Sequence, residues 1–252
     1  MKIISPSNIF TGLLTSHFDP ELKKELIFNS SSLITSLMKK NEKSIGLIPT
    51  LDLLKNEDLY VSKKCGIAFE GSLCNSYIYF KPAEKSVNEF SLFGDVSSLE
   101  VILSKILFKE MYNTDIKIEI LTHDQNLQDK NLVIIGNKNF ENEKCFSGIS
   151  FSEEVIEFLS LPFVNYVFAS TDKSSIEELN EKLENIGSKV YKNIAKYDLG
   201  KNLTKKTKDY IKANISSLII DFEPNDVEGI NQLLTLPYYH GIVNDIAEVN
   251  FV

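Results

Sequence analysis

The 252-residue chain contains no arginine: all 27 of its strongly basic residues are lysine. A bidentate guanidinium fork is therefore excluded as the grip on an anionic ligand. Lysine, hydroxyls, side-chain amides or the free N–H groups of a helix start would have to take its place. Cysteine is scarce as well. Cys65, Cys74 and Cys145 are odd in number and form no C-x-x-C pair, which points to reduced, mostly buried thiols. No apolar run approaches a membrane span, and the opening MKIISPSNIF lacks the apolar stretch of a signal peptide. The expected compartment is the cytoplasm. A net charge of −8 argues against non-specific nucleic-acid binding and against an anionic membrane surface.

The familiar catalytic signatures are missing too. There is no G-x-S-x-G, no Walker loop and no G-x-G-x-x-G. His17, His123 and His240 share no metal-ligand spacing, so no metal or other cofactor is expected. The acidic run EELNEKLE reads as a solvated helix face with pairs four residues apart.

What is present is an alternation of short apolar runs and amphipathic stretches, the pattern of an α/β protein with mainly parallel sheet. Strands are expected at 2–5, 26–28, 45–48, 66–69, 75–81, 90–93, 116–121, 132–135 and 163–169. Helices are expected at 9–17, 97–112, 150–161 and 204–214, and from Ser32 to Lys40, Ser174 to Asn185 and Glu223 to about Leu234. Ser97 with Glu100, and Ser150 with Glu153, have the spacing of capping boxes, and Asp95 is a second candidate cap for the 97–112 helix. Pro162 and Pro237 read as helix stops, and Gly187 as a glycine just past a helix end.

Residues 163–169 are apolar except for Asn165, as expected of a strand buried on both faces. This segment and residues 75–81 read as two crossings between lobes. The implied layout is a discontinuous first lobe, 1–80 plus 170–252, and an inserted second lobe, 81–169, starting near Lys85. A ligand cleft would lie between them, where strand ends open. Polar turns follow those strands: Ser5, Ser7 and Asn8; Thr50; Ser72, Asn75 and Ser76; Ser97 and Ser98; Asn137. Together they would line one cleft, with a helix start favouring a carboxylate or phosphate. Asp95 would oppose an anion if its side chain faced the same cleft.

Five segments in order carry a resemblance: SIGLIPTLD (44–52), GIAFEGSLCNSYIYF (66–80), DVSSLEVILSKIL (95–107), LVIIGN (132–137) and SLPFVNYVFA (160–169). They resemble the menaquinone-biosynthesis family of the futalosine route, chorismate dehydratase and its sister dihydroxynaphthoate synthase. The resemblance spans about 170 residues, with a weaker match at EGINQLL (228–234). It implies a two-lobed fold of the type II periplasmic-binding-protein kind with two crossing strands. It implies a lyase eliminating water from chorismate to give 3-(1-carboxyvinyloxy)benzoate, a small carboxylate substrate, without nucleic acid or membrane. Asn8 and Asn75 (or Ser76, with a one-residue shift) would be catalytic. Ser5, Ser7, Thr50, Ser76, Ser97, Ser98 and Asn137 would bind substrate.

The departures lie in the cleft. The family's turn after strand one is shortened at Asn8, its S-R-T-S becomes Asp95-Val96-Ser97-Ser98 without the arginine, its G-D becomes Gly136-Asn137, and its closing Trp is Ser170 or absent. A protein of the same fold that binds a small anion without turning it over is the alternative. Dihydroxynaphthoate synthase activity would need a base that none of the three histidines supplies.

Overall fold

The computed structural model describes residues 2–82, 87–123 and 127–252; Lys85, where the inserted lobe was expected to start, lies outside them. The chain opens with β1 (Ile3–Pro6), α1 (Ile9–Ser16), α2 (Pro20–Lys24), β2 (Leu26–Asn29), α3 (Ser31–Lys39) and β3 (Ile45–Pro49). A 3-10 segment (Thr50–Lys55) leads to the long β4 (Tyr60–Phe69). Next come β5 (Ser76–Tyr79), β6 (Glu89–Gly94), α4 (Ser98–Tyr112), β7 (Lys117–Leu121), β8 (Leu132–Ile135), β9 (Ile149–Ser150) and α5 (Phe151–Leu159). β10 (Phe163–Ser170), α6 (Lys173–Lys182), α7 (Ile186–Asn193), α8 (Lys205–Ala213), β11 (Leu218–Asp221), α9 (Pro224–Tyr239) and β12 (Asn250–Phe251) complete it.

The strands form two sheets. A seven-stranded sheet has the order β11-β4-β10-β3-β1-β2, with β12 also on β4, and a five-stranded sheet has the order β7-β6-β8-β5-β9. Both are mixed rather than mainly parallel. β10 runs antiparallel to both β3 and β4, and β5 runs antiparallel to β8 and β9. Both strands adjoin a passage between sheets: the chain leaves the larger sheet after β4 through residues 70–75 and returns after α5 through residues 160–162. β5 itself pairs only within the smaller sheet and β10 only within the larger.

Local signals explain most elements. All eight residues of β10 are buried, as its uncharged sequence requires. α4 begins at a complete capping box: the Ser97 side chain and the Glu100 carboxylate each satisfy the other's backbone N–H. Asn8 and Thr11 do the same for α1. At Ser150 only half of the expected box forms, the serine accepting from Glu153 N–H. α5 ends before Pro162 as expected, on Ser160 in the left-handed region.

Other expectations are corrected. α3 starts at Ser31 with Ser30 at the cap position, two residues ahead of the expected Ser32, and Asp172 rather than Ser174 caps α6. At α6 the short side chain that reaches the free N–H groups decides the start, Asp172 accepting from Ser175 N–H; at α3 the Ser30 side chain makes no such bond, and Ser31 N–H is taken by Asp95 instead. Gly187 lies inside α7, where its N–H meets Asp221, and Asn185 takes the left-handed conformation instead. α9 runs through Pro237 to Tyr239, because a proline this close to a helix end costs few hydrogen bonds. The expected 66–69 strand is the end of the ten-residue β4, whose exposed Lys63 and Lys64 interrupt its apolar pattern.

Among the described residues no helix is long and apolar enough to cross a membrane.

Candidate functional site

The sheets meet where strand ends converge. β1 ends at Pro6 before Asn8, β3 at Pro49 before Thr50, β6 at Gly94 before Asp95, and β8 at Ile135 before Gly136 and Asn137. β5 starts opposite the end of β8, with Ser76 paired to Ile135. Polar turns at strand ends thus gather at one junction, the usual place for a ligand in open α/β folds.

Three helices begin there, and the first residue of each donates across the junction. Ile9 N–H of α1 donates to Asn137 Oδ1 at 2.8 Å. Ser31 N–H of α3 donates to Asp95 Oδ1 at 2.8 Å, and Ser31 Oγ donates to Asp95 Oδ2 at 2.6 Å. Ser98 Oγ of α4 donates to Asp52 Oδ1, whose other oxygen accepts from Thr35 Oγ. In each case the acceptor comes from the opposite sheet's side. Asp95 therefore does face the junction, and a carboxylate of the chain itself sits at the start of α3.

A buried polar cluster lies behind these contacts. Tyr166 Oη on β10 is 2.9 Å from Ser31 Oγ and accepts from Asn75 Nδ2 at 3.4 Å. The Asn75 carbonyl accepts from Gly136 N–H and from Asn139 Nδ2, which fastens the crossing to the turn after β8. Burial raises the Glu100 carboxyl above its ordinary range, opposed by the Ser97 hydroxyl that donates to it at 2.6 Å. Burial likewise holds the Tyr166 phenol well above its usual value, with the nearby Glu100 and Asp95 charges adding to the shift. Several buried atoms have no hydrogen-bond partner within the described protein: Asn8 Nδ2, Asn75 Oδ1, Ser76 Oγ, Glu100 Oε1, Ser104 Oγ and both amide atoms of Asn165. Buried polar groups are nearly always paired; the exceptions at Asn8, Asn75, Ser76 and Glu100 border the junction, whereas Ser104 lies further along α4 and Asp226 Oδ1, likewise without a partner among the described residues, is in the first turn of α9.

The expected site residues divide into groups. Asn8, Asn75, Ser76, Ser97 and Ser98 all sit at the junction, and Asn75 and Ser76 are each 1% exposed. Thr50 is buried and donates to the Val164 carbonyl, tying the 3-10 segment to β10. Ser5 is buried and bonds the neighbouring Pro6 carbonyl. Ser7 is exposed. Asn137 is exposed and spends its carbonyl on Ile9. Ser97 and Ser98 both donate to carboxylates of the chain itself. Sequence reasoning missed Ser31, Asp52 and Tyr166; the serine run at 30–32 was the one signal for the first, and the others are placed only by pairing across the chain.

None of the described residues that make these junction contacts is a lysine or histidine. His17 bonds within α1, His123 is exposed, and His240 pairs with Glu110 at the far end of α4. Burial raises the Cys65 thiol to about 12 and the Cys145 thiol to about 11, which makes both poor nucleophiles. Among the described residues no group of three or more His, Cys, Asp or Glu could hold a metal ion. A cavity of about 240 Å³ opens beside the Ile9–Asn137 contact, with Glu141, Leu199 and Lys201 on its walls. A larger one, about 560 Å³, lies on the smaller sheet between Tyr79, Leu132 and Lys144 and includes none of the expected site residues.

No protein-family model and no curated protein matches the chain. Solved structures do. Protein AF1704 of Archaeoglobus fulgidus superposes with a TM-score of 0.66 at 10% identity, over 96% of this chain and 98% of that one. The alkanesulfonate-binding protein of Xanthomonas axonopodis pv. citri, bound to MOPS, gives 0.65 at 11% identity over 100% and 97%. A Candida albicans gene product described as having the generic periplasmic binding protein fold gives 0.55 at 12% identity over 97% and 91%. The chain thus has the fold of the periplasmic binding proteins. Identities this low speak for the fold alone.

Proposed function

We propose that the protein binds a small carboxylate-bearing molecule between two lobes, residues 1–80 plus 170–252 and residues 81–169, without turning it over. The observation that carries this is the chemistry of the junction: helix starts, hydroxyls and amides converge there around the carboxylates of Asp95, Asp52 and Glu100, with no lysine or histidine among the contacts described. Such a set can hold an acid by hydrogen bonds, while Asp95 and Asp52 each spend both carboxylate oxygens on donors of the chain and burial favours the protonated form of Glu100, so none of the three is free to act as a general base. The alkanesulfonate-binding neighbour is a small-anion binder of the same fold, which supports the class of ligand. Three reduced, buried cysteines fit work in the cytoplasm. Titration calorimetry and thermal unfolding with a panel of small mono- and dicarboxylates test the reading. Saturable stabilisation by at least one member is expected, growing with the logarithm of its concentration above the dissociation constant. A panel that leaves the unfolding midpoint unmoved sinks it.

A second reading, dehydration of chorismate in menaquinone biosynthesis, is favoured by one specific coincidence. Asn8, Asn75 and Ser76, which the sequence resemblance picks out, each carry a buried atom without a protein partner. Those atoms would orient the ring carboxylate and the leaving hydroxyl, and a carboxylate of the substrate itself would take the proton in a closed, dry cleft. Incubation with chorismate, followed by detection of the aromatic product, separates the readings. Turnover that falls in both Asn8→Ala and Asn75→Ala would establish the lyase, and binding without product would leave the first reading standing.

A further inference from the structure

We infer that Asp95 is a tethered ligand: its carboxylate occupies, from across the junction, the place at the start of α3 that a free carboxylate would take. The argument begins with α3 itself. Its own cap residue, Ser30, makes no side-chain hydrogen bond to the helix, so the first N–H groups depend on another acceptor. That acceptor is Asp95, 64 residues away on the turn after β6, which takes both the N–H and the hydroxyl of Ser31. Two charge-assisted bonds to one carboxylate, at a helix start, are the grip that binding sites use on acid ligands. The position continues into the buried cluster through Tyr166 and Asn75, whose Oδ1 has no protein partner.

The turn that presents Asp95 is built for it. Gly94 has φ +106°, and a Cβ there would stand 2.0 Å from the Ile135 carbonyl oxygen, so the backbone passes tightly against β8 before swinging Asp95 toward α3. The reciprocal contact, Asp52 on Ser98, holds the same two sides together from the opposite direction. A ligand carboxylate therefore competes with a carboxylate already in place. Only this last statement rests on the proposed binding of small carboxylates; the tether itself rests on the contacts above.

Chemical rescue tests it. Asp95→Ala should lower the unfolding midpoint by roughly 4–8 °C and increase the radius of gyration measured by solution scattering. Acetate or formate should restore both, whereas chloride at the same ionic strength should not, and wild type should respond to neither. An unchanged midpoint and radius in Asp95→Ala overturns the inference, and so does a loss that acetate fails to repair. If Asp95→Ala does not fold, Ser31→Ala serves: it should expand the protein to a smaller extent and show no acetate response, because Asp95 still covers the helix start. No expansion there also overturns it. Failed rescue in a protein that still binds a carboxylate rejects the tether and spares the binding reading; rescue in a protein whose wild type binds none does the reverse.

Discussion

α3 and α6 solve the same problem in different ways. α6 is served by the residue immediately before it, Asp172, whose carboxylate accepts from Ser175 N–H. α3 draws nothing from Ser30 and takes its acceptor from Asp95, on the other sheet's side of the junction. A cap supplied by the preceding residue stabilises one helix and no more. A cap supplied from 64 residues away couples the start of that helix to the position of another part of the chain. The same chemistry is structural in one place and a fastening between the two sheets' sides of the junction in the other.

The largest expected effect comes from spoiling the aim of Asp95. Gly94→Ala puts a methyl 2.0 Å from a backbone oxygen at a φ of +106°. It should cost about 3 kcal/mol or more in denaturant unfolding, with hydrogen exchange at the Ser31 amide rising along with it. An unchanged midpoint would show that the turn relaxes freely and that Asp95 is not held by it.

Next comes pH, where two carboxyls should respond in opposite directions. Glu100, raised by burial, binds its proton more tightly in the fold than in the unfolded chain. Its contribution to stability is therefore present at low pH and is lost as pH rises past the ordinary carboxylate range toward the raised value. Glu100→Gln should flatten that decline and gain on wild type as pH rises; parallel profiles would reject it. Asp172 lies on the other side of the comparison. Hydroxyls of Ser175 and Ser174 hold it below its ordinary value. Its cap is present at neutral pH and is lost as pH falls through the lowered value. Asp172→Ala should soften that acid limb and lower the midpoint slightly, without altering the radius of gyration.

Local grammar made much of this architecture legible. The Ser97–Glu100 box, the apolar run at 163–169 and the punctuation at Pro162 each depend on residues within one turn or strand, and each appears where the spacing put it. Asn8, Asn75, Ser76, Ser97 and Ser98 were legible as polar residues bordering strands, and the fold brings them to one junction. The partners were not legible. Ser31 meets Asp95 and Asp52 meets Ser98 only because two sheets face each other, and no window of the sequence contains both members. The mixed sheet direction was hidden for the same reason: the sense of β10 is set by the crossing before it rather than by its own residues.

The finest probe of the comparison pairs two serines that differ mainly in whose carboxylate they serve. Ser98 Oγ donates across the junction to Asp52, while Ser174 Oγ donates to Asp172 two residues back. Removing either hydroxyl deletes one hydrogen bond to a carboxylate that keeps another donor, Thr35 for Asp52 and Ser175 for Asp172. The chemical change is the same, and because Ser98 is partly buried and Ser174 exposed, the spread of the response along the chain rather than its size reports what each bond connects. Ser98→Ala should cost about 1 kcal/mol and raise hydrogen exchange in both the Thr50–Lys55 segment and the first turn of α4, since a junction contact stabilises both sides at once. Ser174→Ala should leave the midpoint unchanged within error and raise exchange in the first turn of α6 alone. Equal, purely local responses in the two variants would mean that Asp52 and Ser98 merely lie side by side, and the contrast between a cap and a fastening would then rest on Asp95 alone.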